Sequence, residues 1–305
     1  MNSIAKNLLE LVSYYNQKSK TAFNVRENGK CVSQQSSKNI LIQSKTEKSG
    51  LDITVKDNTM GETVCIPAVV TKGGIDDIVY NDFYIGENCD ITIVSGCGVH
   101  TDDSSEAKHD GIHRFFIGAH SKVRYVEKHV GTGKGSGNKT INPITEIELK
   151  PNSYLEMNTT QISGVDQAVR KTHAVLDEKA KLVVHERLFT QGKEKVDTNF
   201  LVELNGKDSS TDIVSRSVAR DQSYQNFVST IVGNEACKGH SECDSILDEE
   251  AVVDSTPRLV AKCKEASLIH EAAIGKIAGE QILKLRTLGL TEEEAENQII
   301  DGFLA

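Results

Sequence analysis

Cys237, His240, Cys243, Cys263, His270 and Glu271 fall within about forty residues of a 305-residue chain, in the run CKGHSECDSILDEEAVVDSTPRLVAKCKEASLIHEAAIGKIA. Three of the seven cysteines and two of the nine histidines meet there. Thiolate, imidazole and carboxylate are the side chains that bind soft and borderline metals, so the stretch reads first as a metal site. The set is incomplete. Cys237-x2-His240-x2-Cys243 is tighter than most structural zinc motifs, no second Cys-x2-Cys pair completes it, and Cys263 lies well downstream. The Cys-x2-Cys-x2-Cys run of ferredoxin-type clusters is absent. Incomplete ligand sets suit a site shared between two subunits, or a labile one. The plainer reading of any one of these cysteines is a small buried apolar side chain, and that of Glu271 is a hydrated surface carboxylate.

A second candidate is Cys97, in VSGCGVHTDDSS. Small neighbours leave a thiol approachable, and the nearby His100, if protonated, would lower its pKa. That makes Cys97 a sulfur acceptor or nucleophile, or else a packing cysteine. His129, His173 and His185 sit in strand-like segments as core or turn histidines. Gly131–Asn138 (GTGKGSGN) invites a phosphate-loop reading, but Gly135 follows Lys134 where the Walker pattern needs Ser or Thr. A solvent loop is expected there. No Ser/His/Asp set or paired carboxylates stand out, so hydrolytic readings gain nothing.

These residues need elements to position them. Alternating segments bounded by Gly, Asn, Asp and Ser run from about residue 30 to 235: NILIQS, LDITVKD, CDITIVSG, KVRYVEKH, SYLEMNTTQI, KLVVHERLFT and TDIVSRSVA. Several begin after similar turns, as in GENCDITI, GAHSKVRY, KPNSYLEM and DEKAKLVV. Their lead residues Ile91, Val123, Leu155, Leu182 and Ile213 stand 32, 32, 27 and 31 apart. Such recurrence marks stacked repeats, and without helices between strands it predicts a β-solenoid, with a β-sandwich as fallback. Ile4, Leu8, Leu11, Val12 and Tyr15 predict an amphipathic helix over 2–16 that packs on this body. Ile274, Ala278, Ile282 and Leu285 predict another over about 265–287, ended by Gly289. Glu294 completes a capping box on Thr291, whose helix shows Ala295, Ile299, Phe303 and Leu304 on one side. On this reading His270 and Glu271 share a helix start.

The net charge of −9 and a pI near 5.5, with no basic run, argue against nucleic acid. No apolar stretch reaches the roughly 20 residues of a membrane span. The N-terminus lacks the pattern of a signal peptide. The expected compartment is the cytoplasm, where cysteines are free, metal-bound or reactive rather than bridged.

The runs SRSVARDQSYQNFVSTIVGNEACKGHSECDSIL, TPRL and LIHEAAIGKIAGEQILKLRTLGLTEEEAENQIIDGFL resemble the C-terminal half of SufB/SufD-type iron–sulfur cluster assembly scaffolds. YVEKHVGTGKGSGNKTINPITEIELKPNSYLEMNTTQISGV is similar to the same family, so the resemblance spans most of the chain beyond about residue 40. It implies a mainly β fold: a right-handed parallel β-helix over 31–260, an N-terminal helical segment over 1–30 and a C-terminal helical segment over 261–305. It implies a cytoplasmic scaffold, not an enzyme, working with a SufC-type ABC ATPase that docks on the C-terminal segment. The expected ATPase contacts are Glu271, Ala272, Ile274, Gly275, Lys276 and Ile277. Cys243 matches the family's cluster-site cysteine and Glu271 the carboxylate beside it, with His270 as neighbour and His240 and Cys237 nearby. Cys97 falls where SufB-type members carry a persulfide-accepting cysteine, although the family often continues Cys-x-Ala-Pro.

The chain is shorter than the larger SufB proteins. With SufB-like cysteines, that points to a homodimer passing a transient iron–sulfur cluster to apo-proteins. The alternative is an interaction protein whose β-solenoid is stabilised by zinc on Cys237, His240, Cys243 and Cys263. A β-helix polysaccharide lyase would need a secretory signal, and a membrane transporter component would need spans.

Overall fold

The computed structural model describes residues 2–12, 21–162 and 164–305. Helix α1 (Ser3–Val12) precedes two antiparallel hairpins, β1 (Thr21–Glu27) with β2 (Lys30–Gln35) and β3 (Ile40–Ser44) with β4 (Gly50–Val55). The first full coils use β5 (Met60–Val70), β6 (Ile75–Ile85), β7 (Asp90–His100), β8 (Ala107–Ile117) and β9 (Lys122–Thr132). One rung is split by Pro143, which has no N–H to donate, into β10 (Lys139–Ile141) and β11 (Ile144–Leu149). Then come β12 (Tyr154–Ile162), β13 (Gln167–Leu176), β14 (Lys181–Thr190), β15 (Lys195–Leu204) and β16 (Ser210–Ala219). The last coils are β17 (Tyr224–Gly233), β18 (Lys238–Leu247), β19 (Val252–Ala261) and β20 (Ser267–Gly275). Helices α2 (Gly279–Thr287) and α3 (Glu292–Leu304) close the chain.

Strands alternate between two ten-stranded sheets, and beyond the first hairpins every neighbour is parallel. The result is the expected β-solenoid, of about 8 turns with 60% of residues in strands. Inward residues of both sheets fill a large core, in which Phe83 stacks on Phe115 at 4.6 Å between centroids, and a smaller cluster that includes Cys97, Val99 and Ile141.

The repeated turn sets the register. Asn58, Asn88, His120, Asn152, Lys179 and Asp208 all adopt left-handed backbone, each two residues before a strand of the same sheet. Asn tolerates this region best, and the turn it makes rotates the chain into the next coil. Four of the five expected lead residues do stack: Ile91 on Val123, Val123 on Leu155, Leu155 on Leu182. The fifth does not, because Leu182 stacks on Thr211 and Ile213 on Val184. Thr211 is inward-facing and buried, so an apolar search passed over it.

The other expectations hold in part. Helix α1 buries Ala5, Leu8 and Val12 against β5, β7 and β9; residues 13–16 of the expected helix, with Tyr15, lie outside the described residues. Strand β1 belongs to the first sheet rather than to a helical segment reaching residue 30. At the other end, the expected helix from about 265 is corrected: Ser267–Gly275 is strand β20, and α2 starts at Gly279. The Ala- and Glu-rich HEAAIG favours a helix intrinsically, but parallel pairing with β18 overrides that preference. Helix α3 carries the expected capping box of Thr291 and Glu294, and buries Ala295 and Ile300.

The glycine loop after β9 is stacked rather than free in solvent. Gly135 and Gly137 donate backbone hydrogen bonds to the carbonyls of Thr101 and Asp103, at 3.1 and 3.0 Å. A β-carbon on Gly133 would lie 2.1 Å from the Thr101 carbonyl oxygen, so the glycines allow loops of successive coils to touch.

Candidate functional site

In a strand, neighbouring side chains point to opposite faces, and this divides the C-terminal candidates. Cys243 and His270 face the lumen; His240, Glu242 and Glu271 face outward. His270 and Glu271 are therefore separated by the sheet, instead of sharing a helix end.

The luminal group lies under the last coil. Cys243 is 2% exposed and sits beside Ala272 in register, while His270 pairs with Ser241. Burial pushes the Cys243 thiol up, against the opposing pull of the Ser255 and Ser245 hydroxyls. Burial likewise lowers the His270 pKa, so the ring is neutral, and its Nδ1 has no hydrogen-bond partner. His270 thus stands two residues along from the Cys243 position on the same inward face, and a neutral imidazole and a thiol are both soft-metal donor types.

The outward group is more exposed. Ligand atoms of His240, Glu242 and Glu271 lie within 4.8 Å of one another. His240 donates from Nδ1 to Asp212 at 2.8 Å, which leaves Nε2 towards Glu271 at 3.9 Å. A carboxylate behind the ring fixes its tautomer and turns the other nitrogen to a ligand. Burial, then the neighbouring Asp244, raises the Glu242 carboxyl.

Cys237 joins neither group. It is buried in the hydrophobic core near Ala266 and Gly233. Cys263 lies on the turn before β20 and donates to Glu265 at 3.1 Å. The four residues of the zinc alternative thus divide among the core, which takes Cys237 and Cys243, the outer face, which takes His240, and a surface turn, which takes Cys263. Among the described residues, the grouping of three possible ligands is His240, Glu242 and Glu271, without a cysteine.

Among the described residues, no strand pairs beyond the last coil. Strands β19 and β20 end their sheets with unpaired edges. Val252, Leu259, Ile269 and Ile274 on them are 51, 38, 52 and 41% exposed. Beside β20, Lys276 and Ile277 line a recess of about 250 Å³ with Ile246, Leu247, Ile282 and Ile300. Glu271, Ala272, Ile274 and Gly275 lie on the exposed edge strand itself.

Cys97 occupies the other end of the lumen and points inward, 4% exposed. Its flanking glycines face the opposite way and are covered by α1: a β-carbon on Gly96 would lie 2.4 Å from Val12 O. They serve helix packing rather than access to the thiol. The relevant imidazoles also differ from the expected one. His100 bonds Thr132 and Asp102 at the coil's edge, whereas His109 and His129 act on the thiol. Burial pushes Cys97 up, and these two rings outweigh it, bringing the pKa to about 7.

Sequence inspection passed over what joins the two cysteines. Ser95, Glu127, Thr159, Glu186, Ser215 and Cys243 stack in register as one buried inward row, and Cys97, His129 and Gln161 form the next. Arg170 reaches across from the other sheet to Glu186 at 3.1 Å and His129 at 2.9 Å. Glu186 accepts from Ser215 at 2.9 Å. Thr159 Oγ1 and Gln161 Oε1 are buried without partners. The only sequence signal was Glu or Arg at positions where the alternation demanded apolar residues.

The family model for the SUF system FeS cluster assembly SufBD core domain matches residues 81–303. The chain belongs to the SufBD family. It is 30% identical over 222 residues to an iron–sulfur cluster assembly SufBD family protein of Methanothermobacter thermautotrophicus, covering 72% of this chain and 53% of that protein. A protein of the same description from Archaeoglobus fulgidus is 28% identical over 74% of this chain and 60% of its own length. One from Pyrococcus horikoshii is 29% identical over 76% and 69%. The chain thus matches between half and two thirds of the length of the first two. Among the described residues, no helix is long and apolar enough to cross a membrane.

Proposed function

We propose that this SufBD chain is a non-enzymatic scaffold subunit that holds a nascent iron–sulfur cluster between two copies of itself and passes it to apo-proteins. The observation that carries the reading is the open end of the solenoid. Cys243 and His270 lie just inside it, and His240, Glu242 and Glu271 lie just outside, beside two unpaired strand edges. Unpaired edges with exposed apolar side chains favour another chain, and a second copy would supply a second set of donors. Mixed thiolate, imidazole and carboxylate ligation holds a cluster less tightly than four thiolates, which suits a carrier that must release its cargo.

In this reading, iron is collected by the outward trio and completed with sulfur at Cys243. Sulfur enters at Cys97 and follows the polar rows through the lumen. A SufC-type ABC ATPase docks on edge strand β20 and on the recess that Lys276 and Ile277 form with the end of β18 and the two C-terminal helices. Its closure opens the paired ends. The setting is cytoplasmic.

Anaerobic reconstitution with iron and sulfide, with and without the ATPase, tests the reading. Wild type should turn brown and contain labile sulfide. Cys243→Ser should stay colourless, and Glu271→Ala should retain a reduced share. A Cys243→Ser protein carrying as much cluster as wild type would remove the ligand assignment, and a colourless wild type holding only zinc would restore the zinc alternative.

A further inference from the structure

The buried Cys97, His109 and Asp77 and the partly exposed Arg26 converge at the N-terminal end of the lumen. Arg26 of β1 grips Asp77 of β6 with Nε at 2.8 Å and an NH2 at 2.6 Å, a bidentate fork. Asp77 in turn faces Nδ1 of His109 at 3.2 Å, and His109 acts on Cys97. His109 and Asp77 are 1 and 3% exposed. The order of thiol, imidazole, carboxylate is that of an activated nucleophile, with a guanidinium holding the carboxylate in place.

Beside them is a cavity of about 20 Å³ whose wall includes Cys97, His109, Asn81 and Ser95. It has room for about one water, or for one atom added to the thiol. Asn81 Oδ1 and Ser95 Oγ on that wall are buried without a well-formed hydrogen bond. A chamber this small, with polar and apolar walls and unspent hydrogen-bonding groups, suits a small guest.

We propose that Cys97, His109 and Asp77 form a sulfur-loading relay, in which His109 is the proton donor to the leaving group, Asp77 is a positioning residue, and the substrate is a small inorganic polysulfide rather than a protein-bound persulfide. The proposal rests on the scaffold reading for its purpose, but its chemistry is independent of cluster formation. The Cys97 thiolate attacks one sulfur of a disulfane, H–S–S–H. The new bond joins Cys97 to that sulfur, the disulfane S–S bond breaks, and hydrosulfide leaves with the electron pair. It takes the proton of the His109 imidazolium and departs as hydrogen sulfide. Sulfur is moved without net oxidation or reduction. A protein-borne persulfide would have to pass α1 or the first hairpins.

The charges around the thiol fit this assignment. Arg26, Asp77 and His109 face it from β1, β6 and β8. From β9 come His129, Glu127 and Tyr125, and His113 stands on β8. Burial disfavours charge on His109, yet Cys97 and Asp77 overcome it and raise its pKa to about 10. His113 is neutral, pushed by burial to about 4. Burial opposes charge on His129, yet Glu127 and Cys97 overcome it and raise its pKa.

The test is the pH profile of Cys97 sulfuration by sodium tetrasulfide, read by peptide mass spectrometry as the gain of one sulfur atom. Wild type should show a midpoint near pH 7. H109Q should move it towards the free-thiol value of about 8.5 and slow the reaction at neutral pH at least tenfold. D77N, closer in shape, should move it the same way by less. Circular dichroism selects folded variants, and a merely structural role would leave the midpoint in place. A folded H109Q or D77N with the wild-type profile overturns the relay. So does a bulky aromatic disulfide that labels wild-type Cys97 as fast as tetrasulfide. Wild-type reconstitution with iron and sulfide, run alongside, separates the two readings. No cluster with a normal sulfuration profile fails the scaffold alone, and a cluster with an ordinary thiol profile fails the relay alone.

Discussion

The two ends of one lumen solve opposite problems. At the N-terminal end, Cys97 is enclosed by α1 and the first hairpins and surrounded by full charges that cancel in pairs. At the C-terminal end, burial holds the Cys243 thiol up, with the Ser255 and Ser245 hydroxyls opposing it and no cation acting on it, beneath the two unpaired strand edges. Burying charge is costly unless it is paired, so the first end is rigid by necessity. The second end carries no such debt and is free to change its ligands. The thiol is acidified at the end where buried charges surround it and held up at the end where they do not.

The sharpest way to break this contrast is to remove one charge from the closed part. Arg170, with its side chain 7% exposed, contacts Glu186, His129 and Glu127. Arg170→Met leaves two buried carboxylates short of a partner, and urea unfolding should show a loss of about 3–5 kcal/mol. Cys243→Ser in the same assay should lose no more than about 1 kcal/mol, because it exchanges one small side chain for another among hydroxyls. Equal losses at the two positions would mean that the ends do not differ in this way.

Much of this contrast was invisible in sequence, for physical reasons. The solenoid was legible because each coil repeats its turn, and the turn's left-handed residue is Asn at 58, 88 and 152. The ligand types near the C-terminus were legible because Cys and His are rare. What face each occupied was not, because HEAAIG was read with helical spacing and proved to be a strand, which puts His270 and Glu271 on opposite sides. Cys97 was found with the wrong histidine. His109 and His129 are twelve and thirty-two residues away; stacking of coils brings His129 beside the thiol, and His109 faces it from the other sheet.

A smaller effect probes the open end as an interface. Ile269 points outward from β20 and is half exposed, so Ile269→Lys should leave unfolding within about 0.5 kcal/mol of wild type. A charge on an edge strand opposes pairing with another strand. Sedimentation should therefore show self-association weakened at least tenfold, a loss of about 1.4 kcal/mol. Unchanged association would move the contact between copies away from this edge and leave Cys243 without a second donor set.

The mildest change separates the two faces of the open end from each other. Asp212 touches no proposed cargo; it accepts from His240 Nδ1 and thereby turns Nε2 towards Glu271. Partners behind a ligating histidine matter by about 10–100-fold in metal affinity, and this pair is partly exposed, so the low end applies. Asp212→Asn should weaken ferrous iron binding about tenfold in anaerobic titration. Cys243→Ser, on the luminal side, should leave that first iron-binding step intact while abolishing the cluster. If instead Asp212→Asn binds iron as wild type does and Cys243→Ser does not, iron goes straight to the lumen. The outward trio is then only a charged rim, and the division of labour between the two faces of β18 and β20 falls.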